Sequence, residues 1–139
     1  MSDKYFIDTN ILVYANDRSD KRKHQIAKNI ILDGIKKECA VISAQVLIEF
    51  YVIITQKVKE TLTHEVALQD IRLLRYFEII AIDFDLIIKA IDILHKNKLS
   101  YWDSLILAAA ITSGVGILYS EDLNHGQVNG DIKIVNPFL

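Results

Sequence analysis

Four carboxylates in this chain stand where a folded protein does not leave charge without a reason. Asp8 closes the apolar run Tyr5-Phe6-Ile7, which reads as a buried strand, so it sits at that strand's carboxyl end. Asp122 repeats the arrangement after Ile117-Leu118-Tyr119, inside the polar segment Ser120-Glu121-Asp122-Leu123-Asn124. In open α/β sheets, ligand crevices form at that edge. Asp103 is the one charge between Tyr101 and Gly114, at the start of a stretch whose residues Leu105 to Ile111 are apolar on every side. A helix of that kind is buried. Glu49 interrupts Val46-Leu47-Ile48 and Phe50-Tyr51-Val52-Ile53-Ile54 in the same way. Carboxylates gathered at one sheet edge cannot all stay ionised without a bound cation. Oxygen donors with no matching Cys or His set call for a hard divalent ion, Mg²⁺ or Mn²⁺ rather than zinc.

Each acid also has a quieter reading. Asp8, Thr9 and Asn10 are all helix-capping types ahead of Ile11-Leu12-Val13-Tyr14. Glu121 and Asp122 suit a polar turn, and spacing alone does not choose which of them points inward. Asp103 lies three residues after Ser100, the far corner of a capping box. Glu49 shares a helical stripe with Gln45, Val52 and Gln56 that can simply face water.

The elements that position these acids alternate between strands and helices. A helix is expected from about Asp20 to Lys36, with Ile26, Ile30, Ile31 and Ile35 on one face. Ala40-Val41-Ile42 reads as a strand, and Ser43 caps a helix over Ala44 to Gln56. Thr63 opens the next helix, Phe77 to Ile82 is a strand, and Asp83 caps a helix through Lys96. Ser100 introduces the apolar helix, Gly114-Val115-Gly116 ends it, and Ile132 to Val135 is the last strand. This rhythm predicts βαβ units, with a mainly parallel sheet of four to five strands covered by helices on both faces. One domain over residues 1–139 is expected, since no repeat, low-complexity tract or linker breaks the pattern.

Composition agrees with a soluble domain of 139 residues, 51% apolar and 24% charged. The single cysteine, Cys39, rules out an intrachain disulfide and suits a reducing, cytoplasmic setting. Met1-Ser2-Asp3-Lys4 shows no signal-peptide pattern, and the longest charge-poor runs, Val41 to Gln56 and Ser104 to Tyr119, are too short to span a bilayer. No membrane role is expected. The net charge of −2 argues against a simple basic coat for nucleic acid. The local cluster Arg18, Lys21, Arg22, Lys23 and His24 remains a candidate for RNA phosphates, or a solvated helix start.

Four stretches in order resemble the PIN-domain family, and its VapC-type toxin branch in particular. They are Tyr5 to Ala15 around Asp8, Ser43 to Phe50 around Glu49, Ser100 to Ala110 around Asp103, and Leu118 to Leu123 around Asp122. The closing Val135-Asn136-Pro137-Phe138 is similar to that group's usual end. The resemblance implies a three-layer α/β/α fold and a metal site of Asp8, Glu49, Asp103 and Asp122. It selects Asp122 over Glu121 through the Ser-x-Asp pattern that begins at Ser120, and it makes Asn10, Thr9 and Ser120 supporting residues. It further implies a Mg²⁺- or Mn²⁺-dependent endoribonuclease, in which bound metal polarises the phosphoryl group and lowers the pKa of a water. Glu49 would bind through water or help take that water's proton. A toxin of this kind implies an RNA substrate, a cognate antitoxin that blocks the cleft, and a homodimer.

Two other classes share parts of the pattern. A haloacid-dehalogenase-type phosphotransferase also places an acid after its first strand, but wants a second Asp where this chain has Asn10. A non-catalytic RNA-binding or regulatory scaffold could use the same fold, against which the complete acid set weighs. Tyr14, Tyr51 and Trp102 are read as packing residues rather than base-stacking platforms, and His125 as an exposed loop residue.

Overall fold

The computed structural model describes residues 3–139; Met1 and Ser2, part of the segment examined above for a signal peptide, lie outside the described residues. The elements run β1 (Tyr5–Ile7), α1 (Thr9–Asn16), α2 (Lys21–Lys37), β2 (Ala40–Ser43), α3 (Ala44–Gln56), α4 (His64–Leu73), β3 (Glu78–Ile80), α5 (Phe84–Lys96), α6 (Tyr101–Ser113), β4 (Ile117–Tyr119), β5 (Val128–Asn129) and β6 (Ile132–Val135). The expected helix starts hold: Asp20, Ser43, Thr63, Asp83 and Ser100 each accept the backbone N–H three residues on.

The strands form one sheet in the order β3-β2-β1-β4-β6-β5. Every pairing is parallel except β5 with β6. α1 packs on α2 and α3, α3 on α4, and α5 on α6, giving a three-layer α/β/α sandwich. The sheet has one strand more than the four to five expected. The extra strand, β5, is two residues long and flanked by Gly126 and Gly130, both at positive φ. A hairpin arm that short carries no periodicity to read. β3 is shorter than the Phe77 to Ile82 run, because a 3₁₀ turn over Leu74–Tyr76 leads into it and the chain leaves the sheet before Asp83.

β1 and β2 are wholly buried, and α6 buries an unbroken run from Ser104 to Ala110, as an all-apolar helix must. Phe6, Ile7, Ile42, Phe50, Leu107 and Leu118 are among the fully buried side chains. Among the described residues, no helix is long and apolar enough to cross a membrane.

The sheet order fixes where a site can form. From β1 the chain proceeds outward through β2 to β3, then returns to place β4 on the other side of β1. The junction of β1 and β4 is therefore the topological switch point, where flanking connections diverge and leave a crevice at the carboxyl ends. Tyr5, Phe6 and Ile7 pair with Ile117, Leu118 and Tyr119, so Asp8 and Ser120 leave the sheet side by side.

One close approach holds α2 against this sheet. A Cβ on Gly34 would lie 2.6 Å from Ala40 Cβ and 2.8 Å from Tyr5 Oη. The same Tyr5 hydroxyl donates to the Ile30 carbonyl at 2.6 Å. Gly34→Ala gains helix propensity of about 1 kcal/mol, yet overpacking costs about 1–3 kcal/mol. The expected outcome is a lower urea midpoint at unchanged m-value, measured by circular dichroism.

Candidate active site

Asp8 leaves β1 buried, and both of its carboxylate oxygens are engaged. Oδ1 accepts the Thr9 N–H at 2.7 Å and Oδ2 accepts the Ser120 hydroxyl at 2.7 Å. The capping reading holds, and the same residue also lines the switch-point crevice. Burial pushes its carboxyl up to about 6; the Ser120 and Thr9 hydrogen bonds pull the other way, and Asp122 and Glu49 add to the rise.

Ser120 is fully buried and organises the loop after β4. While its hydroxyl donates to Asp8, its oxygen accepts the Asp122 N–H at 3.2 Å and the Leu123 N–H at 3.3 Å. Asn10 clamps the same loop with both ends of its amide: Oδ1 accepts the Glu121 N–H at 3.2 Å, and Nδ2 donates to Asp122 Oδ2 at 3.1 Å. An ionised aspartate could accept but not donate, so the phosphotransferase pattern, with Asp at this position, does not suit this clamp.

The backbone turn sends Glu121 and Asp122 in different directions, as neighbours in an extended or turning chain must go. Glu121 pairs with Lys23, and its other oxygen accepts the Tyr14 hydroxyl at 2.8 Å. Asp122 faces the crevice beside Asn10.

Glu49 enters from α3. Its Oε2 accepts the Thr9 hydroxyl at 3.2 Å and its Oε1 accepts Gln45 Nε2 at 2.7 Å. The stripe of Gln45, Glu49, Val52 and Gln56 runs from buried to exposed: Gln45 is 5% exposed, Glu49 and Val52 are half-buried and Gln56 faces water. Gln45 Nε2 also donates to the Trp102 carbonyl at 3.1 Å, which ties α3 to the first turn of α6. Asp103 completes only half a capping box. Its N–H donates to Ser100 Oγ at 3.1 Å, but among the described residues its carboxylate makes no return bond to the Ser100 N–H. That carboxylate is left to the crevice.

Asp8, Glu49, Asp103 and Asp122 therefore line one cleft of about 420 Å³, together with Thr9, Asn10 and Gln45. The donor set suits a hard divalent cation: oxygens only, with no His or Cys, around a buried carboxylate already burdened by its neighbours. The four acids share the cleft without closing on a common point. Among the described residues, no group of three or more His, Cys, Asp or Glu is set to hold a metal as it stands. Ser120 holds one oxygen of Asp8 in place, Thr9 and Gln45 hold those of Glu49, and Asn10 holds one of Asp122.

Other candidates fall elsewhere. Lys23 is taken by Glu121 and Tyr14, and Arg22 donates to the Phe138 carbonyl. Arg18 and Lys21 are exposed and do not line the cleft. His125 Nδ1 accepts the Asn136 N–H at 2.9 Å, so it secures the C-terminal segment. Tyr14 and Tyr51 pack as expected, against Phe138 and His64. Trp102 does not: it is 64% exposed and lines the cleft. Lys57 and Lys59, which the sequence reading passed over, line it too. A signal was available for Lys57, since Gln45, Glu49, Ile53 and Lys57 repeat every four residues along α3.

Residues 5–130 match the family model of the PIN domain. The chain belongs to the PIN domain family. Its fold neighbours agree with this. The crystal structure of VapC20 from Mycobacterium tuberculosis, a sarcin–ricin loop cleaving toxin, matches with a TM-score of 0.67 and 21% identity over 86% of this chain and 90% of that one. VapBC2 from Rickettsia felis, bound to a promoter DNA fragment, gives 0.65 and 20% over 94% and 96%. A toxin–antitoxin complex from Klebsiella pneumoniae gives 0.65 and 20% over 96% and 98%. No curated protein matches the chain by sequence.

The raised Asp8 carboxyl makes a pH prediction for this PIN domain without metal. As pH falls through about 4, Asp8 is already neutral in the folded chain and becomes neutral in the unfolded one, so the difference between them fades. As pH rises toward 6 the unfolded chain ionises first, so the stability held by neutral Asp8 is lost as pH passes about 6. Asp8→Asn should therefore stabilise the metal-free protein by about 1–3 kcal/mol at pH 7.5. That gain should vanish near pH 4. Thermal melts in EDTA at the two pH values check this; a loss of stability at both would mean that the cap outweighs the buried charge.

Proposed function

We propose that this PIN domain is a metal-dependent endoribonuclease of the VapC toxin type, with Asp8, Glu49, Asp103 and Asp122 as its acidic site. The observation that carries the reading is the buried Asp8 carboxylate at the switch point, sharing one cleft with Glu49, Asp103, Asp122 and Asp17 and, among the described residues, making no ion pair. Mg²⁺ or Mn²⁺, when bound there, would supply an activated water and neutralise charge on the phosphoryl oxygens. Asp8, Asp103 and Asp122 are the residues to hold it. Their carboxylates need to draw inward from the positions held by Asn10 and the helix caps. Glu49, kept by Thr9 and Gln45, would receive a water's proton. Ser120 and Asn10 orient Asp8 and Asp122, and Thr9 orients Glu49.

The neighbours described as toxin–antitoxin complexes support an antitoxin that covers the cleft. A second copy of the chain is also expected. Phe84, Ile88 and Ile91 are 75%, 50% and 47% exposed along one face of α5, an apolar stripe typical of a protein interface. The wild type should sediment as a dimer, and Phe84→Asp with Ile88→Asp should sediment as a monomer. An unchanged sedimentation coefficient would exclude this face.

The absence of a ready-made metal triad among the described residues is the feature that favours a non-catalytic scaffold. Metal-dependent cleavage separates the two readings. The wild type should cut a structured RNA with Mg²⁺ or Mn²⁺ and stop with EDTA. Asp122→Ala should raise the Mg²⁺ concentration for half-maximal cleavage at least about tenfold, since even outer-shell partners of a ligand count for that much. Glu121→Ala, whose side chain faces Lys23, should leave that concentration unchanged. Cleavage undiminished by chelation would end the metal reading, and the reverse ranking would reassign the fourth acid.

A further inference from the structure

The cleft has two unlike ends, and α3 measures the distance between them. Gln45, Glu49, Ile53 and Lys57 all line the cleft from one stripe of that helix. Gln45, at the α3 N-terminus, holds the Trp102 carbonyl, so the indole belongs to that end. Lys57 is the C-terminal cap of α3, and Lys59 follows it. Twelve residue steps along α3 separate Gln45 from Lys57, a span of about 18 Å, with Glu49 on the helix between them.

Trp102 is the chain's single tryptophan and is 64% exposed, although its backbone is fixed. It sits in the capped first turn of α6, bonded to Gln45 and edge-on to Tyr101 at 5.4 Å between ring centres. Beside it lies an apolar hollow of about 510 Å³ lined by Ile48, Ile82, Gln45 and Glu49. At the other end Lys57 and Lys59 are exposed and, among the described residues, make no ion pair. The Arg22 and Lys23 side chains, by contrast, are already engaged. A polyanion entering a cleft lined by five acids, Asp17 included, meets repulsion unless cations receive it, and within the cleft wall these two lysines are the cations.

We propose that Trp102 and the Lys57–Lys59 pair are the two ends of a single-stranded RNA track. One unpaired base stacks on the Trp102 ring, and the phosphates on the far side of the acids lie on Lys57 and Lys59. A paired base has no free face to offer the indole, so the track takes unpaired nucleotides. The assignment rests on the ribonuclease reading for its substrate class. It prefers nucleic acid to a docked protein because the apolar hollow and the free lysines belong to one continuous cleft wall, shared through Gln45 and Glu49.

The lone tryptophan makes the test direct. Full-length protein in EDTA, where nothing is cut, is titrated with an eight-nucleotide oligoadenylate and with a blunt RNA duplex. The single strand should quench tryptophan fluorescence saturably and the duplex should not. By anisotropy of an end-labelled strand, Trp102→Ala should weaken binding about tenfold or more, with Trp102→Phe intermediate. Lys57→Ala with Lys59→Ala should lower the slope of log Kd against log salt by about 1.4, two phosphate contacts on a single strand. Arg18→Ala with Lys21→Ala should do less. Equal quenching by duplex, wild-type binding by the Trp102 and Lys57–Lys59 variants, or a larger effect from Arg18 and Lys21 overturns the track. So does a Trp102→Ala variant that loses its dimer and keeps its RNA affinity, which would make the indole a protein contact. Failure of the ribonuclease reading looks different: binding would follow these variants, and no metal would bring cleavage.

Discussion

A carboxylate at the end of a buried strand must be given partners, and much of the sheet's carboxyl edge supplies them to Asp8. The Thr9 N–H takes one oxygen and the Ser120 hydroxyl takes the other. Ser120 can reach Asp8 only because β4 lies directly beside β1 in parallel register, with Ile7 opposite Tyr119. The same hydroxyl oxygen accepts two N–H groups of the following turn, so one buried serine joins the first strand, the fourth strand and the loop that carries Asp122. Even so, burial keeps the Asp8 carboxyl well above the ordinary carboxylate range. The frame thus keeps a buried carboxyl whose ionisation is opposed by its surroundings.

A second strut decides which acid of the β4 loop serves that frame. Tyr14, Lys23 and Glu121 bond to one another, and Phe138 closes over Tyr14 with ring centres 5.0 Å apart. Arg22 reaches the Phe138 carbonyl from the same turn of α2. The basic cluster at the start of α2 is therefore partly consumed in fixing the C-terminal segment and in drawing Glu121 out of the cleft. Arg22 and Lys23 serve the frame in this way, while Arg18 and Lys21 stay exposed.

Much of the framework was legible in the chain itself. The strands Tyr5–Ile7 and Ile117–Tyr119, the caps Asp20, Ser43, Thr63, Asp83 and Ser100, and the uniformly apolar α6 follow from local propensity and periodicity. Those signals depend only on neighbouring residues, as does the placement of Asp8 and Asp122 at strand ends. β5 escaped because two residues between glycines have no pattern.

What the chain could not decide alone was direction. Periodicity put Gln45 and Glu49 on a stripe, but only the packing of α3 against α1 and α4, with the Gln45 bond to the Trp102 carbonyl, turned that end of the stripe inward and left Ile48 in water. Trp102 is apolar and begins an apolar helix, so its composition argues for burial. Its exposure depends on where the α6 N-terminus ends up relative to Gln45, 57 residues away. Lys57 and Lys59 became cleft residues, and Arg22 and Lys23 ceased to be free cations, through contacts equally remote in sequence. Local sequence determined which residues form strands, caps and buried helices. Tertiary structure decided which polar and aromatic groups those elements aim at one another, because orientation across a cleft is set by long-range packing that no window of neighbouring residues contains.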